Sequence, residues 1–217
     1  MELTLQSLQQ NIDYVAFAIF VLCIIISFAV REYARRVEQS GKEIRSKYRG
    51  SWIRNMIKND DKDLLVNEMR NDITVSVALV SAIIIAFGLA LGNIASVMST
   101  YQDSAVGLLR VSSIFVLLAF SLFMVLSELR LFLYIPIVFG TDEVLIEKYE
   151  KMPKQKYLSK LVHEAFDHFS NSVRGIFFCV VAMIWFYNAY FFIVAVLVLT
   201  AIMISEDFGK GGRITIW

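Results

Sequence analysis

Proline and cysteine are nearly missing from this chain: its 217 residues hold two of each, and only two histidines. With Pro confined to Pro136 and Pro153, little in the sequence forbids long uninterrupted helices. Cys23 and Cys179 stand far apart, each inside an apolar run, so neither a disulfide framework nor a zinc-type spacing is available. Buried free thiols of this kind act as small apolar side chains. A net charge is missing too, since 21 Lys and Arg face 20 Asp and Glu. That balance conceals a strong bias along the chain.

What the chain has is apolar length, with 57% of its residues hydrophobic. Residues 15–30, 73–98, 106–126 and 175–204 are each near or above the ~20 residues a helix needs to cross ~30 Å of hydrocarbon. Lys and Arg crowd residues 31–71 and 127–174, whereas residues 1–14 hold none. Positive charge is retained on the cytoplasmic side, so both crowded loops are expected inside. The expectation is an all-α integral membrane four-helix bundle, a single membrane domain over residues 1–217 of the plasma membrane. Both termini face outside, and loops 31–71 and 127–174 build cytoplasmic helical extensions. The first span lacks a basic leader and a small-residue cleavage site, and reads as uncleaved.

Local patterns fill in the connections. Asn11 or Asp13 is placed to cap the first span, which is expected to run on past Arg31 to about Glu38. Trp52, Ile53, Met56 and Ile57 form the apolar side of a short amphipathic helix. Residues 59–61 predict a turn, with Asp63 capping the helix that enters the second span. Pro136 is expected to kink or end its helix. Tyr157, Leu158, Leu161, Val162, Ala165, Phe166 and Phe169 make an apolar stripe opposite Lys156, Ser159, Lys160, Glu164 and Asp167. The last apolar run, at ~45 Å as a straight helix, exceeds the bilayer core, so it must tilt or give its first turns to the cytoplasmic part. Trp185, Tyr187 and Tyr190 suit a headgroup belt.

Several short pieces together resemble a family known as domain of unknown function 599, small membrane proteins of bacteria, archaea and plants. They are Trp52 with Arg54 and Met56; Met69, Arg70, Asn71, Asp72 and Ile73; Ser127 with Arg130; and His168, Phe169, Arg174, Gly175 and Trp185, with Asp207 beyond. Val173 stands where the family often has Gly, and Asn188 lies near where a Pro often follows the Trp. The resemblance implies a multi-span bundle and supplies no activity.

Candidate chemistry is sparse. His163 and His168 are five apart and about 140° around a helix, so they do not form the i, i+4 pair of a zinc protease, and no metal is expected. Asn59, Asp61 and Asp63 begin like a calcium loop, but Leu64 replaces the turn Gly and Arg70 the closing Glu. Glu128, Arg130, His168 and Arg174 form the candidate polar cluster near the cytoplasmic ends of the third and fourth spans, most simply an interhelical clamp. Arg110 can pair with Asp103 or Asp13, and Asn188 can hydrogen-bond across helices. Ala78, Ala82, Ala86, Gly88, Ala90 and Gly92 provide a small-residue packing face. Lys42, Arg45, Lys47, Arg49, Trp52 and Arg54 suit anionic headgroups, and topology already explains their charge without nucleic acid.

No catalytic motif and no cofactor site emerges. The leading expectation is a non-enzymatic accessory or scaffolding subunit acting through helix packing, as a homo-oligomer or within a larger membrane complex. A small oligomeric transporter or channel is the alternative. A lipid-acting enzyme built on Glu128, His168 and Arg174 is the lesser one.

Overall fold

The computed structural model describes the backbone of residues 2–37, 40–59, 61–100 and 105–209, and side chains from Asn11 to Gly209 except at 38–39, 60, 62 and 93–104. Asp103, Lys210 and Arg213 thus lie outside the described residues. Every regular element among them is helical: α1 (Glu2–Ala34), α2 (Gly41–Asn59), α3 (Lys62–Thr100), α4 (Ala105–Gly140), α5 (Glu143–Glu150), α6 (Lys154–Ile184) and α7 (Ala189–Phe208). Among the described residues, four segments are long and apolar enough to cross a membrane: Asn11–Ala34, Asp63–Gly92, Ala105–Gly140 and Ala189–Phe208. The 36 residues of α4 rise about 54 Å, which exceeds ~30 Å of hydrocarbon by several turns.

The apolar run 175–204 is not one span. α6 stops at Ile184, and the N–H groups of Trp185, Phe186 and Tyr187 bond three residues back to Ala182, Met183 and Ile184, tightening the last turn. Asn188 is extended (φ −161°, ψ 129°), and its side chain accepts from the N–H groups of Tyr190 at 2.8 Å and Phe191 at 3.4 Å. It is therefore the N-cap of α7 and makes no bond across helices. A turn made of Trp, Phe and Tyr is invisible to hydropathy, which is why the run looked continuous.

Three smaller expectations also change. α4 continues through Pro136 to Gly140. The ring removes one backbone bond there, but Phe132, Ile135, Val138 and Phe139 are buried around it and hold the helix together. α1 begins at Glu2, so Asp13 lies within it and caps nothing. It also ends earlier, at Ala34, where the Ser40 hydroxyl donates to the Ala34 carbonyl (2.6 Å) and accepts from Glu43 N–H at the start of α2 (3.2 Å). Asp61 rather than Asp63 caps α3, accepting from Leu64 N–H at 3.2 Å.

The chain folds into two compact units, residues 1–43, 86–120 and 174–217, and residues 44–85 and 121–173. In the first, α1 packs along α7. Its interior is aromatic: Phe20 meets Phe178 edge-on at 6.0 Å and Phe192 at 5.3 Å, while Trp185 stacks on Phe192 at 4.9 Å. In the second, Ile53 and Met56 of α2, Leu65 and Met69 of α3, Phe132 and Ile135 of α4, Ile146 of α5, and Leu158, Leu161, Val162 and Ala165 of α6 form one core. Each of these side chains other than Ala165, removed from water, contributes about 1.5–3 kcal/mol. Gly50 lets α2 approach α6, since a methyl there would come within 3.2 Å of the Ser159 hydroxyl.

Candidate functional site

Polar groups in the first unit gather at two levels. At one, Asp13 accepts from Arg110 Nη2 at 2.6 Å and from the Trp185 indole N–H at 2.8 Å, all three partly or fully buried. The Arg110 guanidinium also lies 5.4 Å from the Trp185 ring centre. At the other, Arg174 Nη2 donates to both Asp207 carboxylate oxygens at 2.7 Å, and Nη1 donates to the Ser27 hydroxyl at 3.0 Å and carbonyl at 3.3 Å. Fourteen residues of α1 separate Asp13 from Ser27, so the two levels stand about 21 Å apart. Between them lie Phe20, Phe178, Phe192, Cys23 and Cys179, all buried. The pairings fix helix direction: α6 runs from the Ser27 level at Arg174 to the Asp13 level at Trp185, and α7 returns to the Ser27 level at Asp207. Asp13, one of the two expected partners, takes Arg110.

In the second unit, Ser127, Arg130, Tyr134, Tyr157, Glu164 and His168 line a cavity of about 560 Å³. The apolar stripe of α6 turns Leu161 into the core, which leaves Glu164 and His168 on the flank that faces this cavity. His168 Nδ1 sits 3.4 Å from Met124 Sδ. Burial, with Glu150 and Tyr134 as neighbours and hydrogen-bond partners, pushes the Tyr157 phenol up to about 12, so it remains a neutral donor. His163 Nε2 lies 3.3 Å from Asp167 one turn along α6. No three His, Cys, Asp or Glu come together as a metal-holding group among the described residues.

Glu128 behaves differently. It is 2% exposed, its Oε1 lies 2.7 Å from the Ser76 hydroxyl, and its Oε2 has no hydrogen-bond partner among the described residues. Of the four residues expected to cluster, Arg130 and His168 share one cavity, Glu128 is paired with Ser76, and Arg174 is held by Asp207 and Ser27. Ser27 and Ser76 carried no warning in the sequence, because a serine in an apolar helix usually back-bonds to its own turn. Asp207 stood out as a piece of the family resemblance and as a charge just past an apolar run, with nothing to name its partner.

The headgroup set divides. Arg45, Lys47 and Arg54 are exposed, whereas Lys42 is buried and the Arg49 guanidinium lies 4.7 Å over the Phe166 ring. Lys47 and Arg54 line a second cavity of about 580 Å³ with Ser46, Ser51, Lys156 and Ser159. On the small-residue face, Ala78, Ala82, Gly88 and Gly92 are exposed and Ala86 and Ala90 half-buried. A methyl placed on Gly88 or Gly92 would meet nothing within 4 Å.

Neither the curated proteins nor the solved structures include a match to this sequence. A family model does match, over residues 14–211, and its span takes in Asp13's neighbour Tyr14, the Ser76–Glu128 contact, the Arg174–Asp207 pair and both cavities. The chain therefore belongs to the family described as Protein of unknown function, DUF599.

Proposed function

We propose that this chain is a non-enzymatic accessory or scaffolding protein of the cell membrane, acting by lateral packing of α3 against a helix of another copy or of a larger complex. The carrying observation is that the spanning part of α3 is the least covered of the four, with only 11% of its apolar window buried against 22–28% for the others. Its bare face holds Ala78, Ala82, Gly88 and Gly92. In lipid, helices associate where small residues let backbones approach closely. The test is disulfide cross-linking in native membranes of Ala82→Cys and Gly88→Cys, with Leu197→Cys on the exposed side of α7 as control. Cross-linked species at the α3 positions alone are expected. Equal cross-linking at all three, or none at any, overturns the reading.

The same reading includes a revised topology. Ser27 lies one turn before Arg31, where the Lys- and Arg-rich segment 31–71 begins, so the charge rule assigns the Ser27 level to the cytoplasmic side. Asp207 shares that level. The N-terminal side then faces out and the end of α7 faces in, with α6 and α7 forming a hairpin whose aromatic turn lies outside. A carboxyl-terminal reporter labelled from inside only supports this assignment, and labelling from outside refutes it.

A second reading, a small oligomeric transporter or channel, draws support from Glu128, whose buried carboxyl has no ion-pair partner among the described residues. Ion flux in liposomes lost on Arg130→Ala would replace the scaffolding reading.

A further inference from the structure

We propose that Glu128 is a proton-binding site: its carboxyl is a neutral acid with an exchangeable proton, available to a proton-coupled step inside the bilayer. The inference is independent of the packing of α3.

Hydrogen counting carries it. The Ser76 oxygen lies 3.0 Å from the Asp72 carbonyl one turn back on α3 and 2.7 Å from Glu128 Oε1. A hydroxyl has one proton and two lone pairs. Spent on the Asp72 carbonyl, the usual back-bond of a helical serine, that proton leaves nothing between the Ser76 oxygen and Oε1. A short contact between two oxygens then requires a proton from the other side. A neutral Glu128 provides it, since its O–H donates to Ser76 and Ser76 donates to Asp72.

The ionised alternative fits the surroundings poorly. It would use the serine proton on Oε1 and leave a full charge on a side chain 2% exposed, with Oε2 receiving no donor. An ionised carboxylate buried without a partner is strongly disfavoured. The charged neighbour that acts on Glu128 is Asp72, which adds repulsion of the same sign. No ion pair to Glu128 exists among the described residues, so no cation offsets that repulsion.

Infrared difference spectroscopy of the purified protein in lipid at neutral pH tests the proposal. A carboxylic-acid carbonyl band is expected that shifts on transfer to D2O, vanishes in Glu128→Gln, and moves to higher frequency in Ser76→Ala, which removes the acceptor. Glu128→Gln should melt with the parent, because an amide reproduces the shape and donor of the neutral acid. If Glu128→Gln does not fold, the Ser76→Ala shift alone assigns the band. Absence of the band, or a band unmoved by both substitutions, overturns the proposal.

Discussion

Replacing Asp207 with Asn keeps the side chain's shape and removes its charge, leaving the Arg174 guanidinium 7% exposed and without its counter-ion. Breaking one side of a buried ion pair costs about 3–5 kcal/mol. The Ser27 hydroxyl and carbonyl still receive Nη1, so the low end, about 3 kcal/mol, applies here. For a chain of this length that corresponds to a melting temperature lower by about 6–12 °C. The protein carries its own reporters, since Cys23 and Cys179 are 4% and 6% exposed and become accessible to a thiol-reactive fluorogenic dye only on unfolding. Removing both charges in Arg174→Met/Asp207→Leu should recover most of the loss, because an apolar replacement of a buried pair is often neutral or better. A loss under about 1 kcal/mol for Asp207→Asn, with no recovery in the double variant, would show that water reaches the pair and that the bookkeeping of buried charge is wrong.

Three further outcomes are expected. Phe132→Ala empties the centre of the second core and should cost about 3–5 kcal/mol, read in the same dye assay. Asn188→Ala removes the acceptor for two N–H groups at the head of α7 and should cost about 1 kcal/mol, while Asn188→Ser or Asp retains most of it. Tyr157 holds its proton up to about 12 in the folded protein against 10.0 ordinarily, so its contribution is fully present below pH 10 and lost as the pH rises toward 12. Alkaline titration of stability should show a component that Tyr157→Phe abolishes; identical curves for the two proteins would refute it.

Where the sequence carried a period, it carried the structure. Leu158, Leu161, Val162 and Ala165 of the α6 stripe and the pair Ile53 and Met56 are buried as their spacing requires, although Asp167, expected on the polar side of α6, is buried as well. Inside the apolar runs the period disappears, and with it the information. Phe178, Cys179 and Ala182 are buried while Val180 and Met183 are exposed, yet all five read alike by hydropathy. The break at 185–188 was hidden for the same reason, and only Asn188 and the excess length of the run hinted at it. Charges at the borders of apolar runs were legible as individuals, but their partners were not. Arg174 could be picked out from its neighbours, whereas its pairing with Asp207, 33 positions later, depends on a reversal that nothing in the hydropathy announces.

From Gly175 to Ser205 the chain contains no Lys, Arg, Asp or Glu. Two helices and the bend joining them can therefore enter hydrocarbon as a pair from one face without carrying a formal charge through it. Threading would begin with the bend and end when α7 reaches its full depth. On the topology proposed above, Asp207 would arrive beside Arg174 only then, so that their pairing would close over a completed insertion and resist its reversal, like a bolt that slides home once the door is shut.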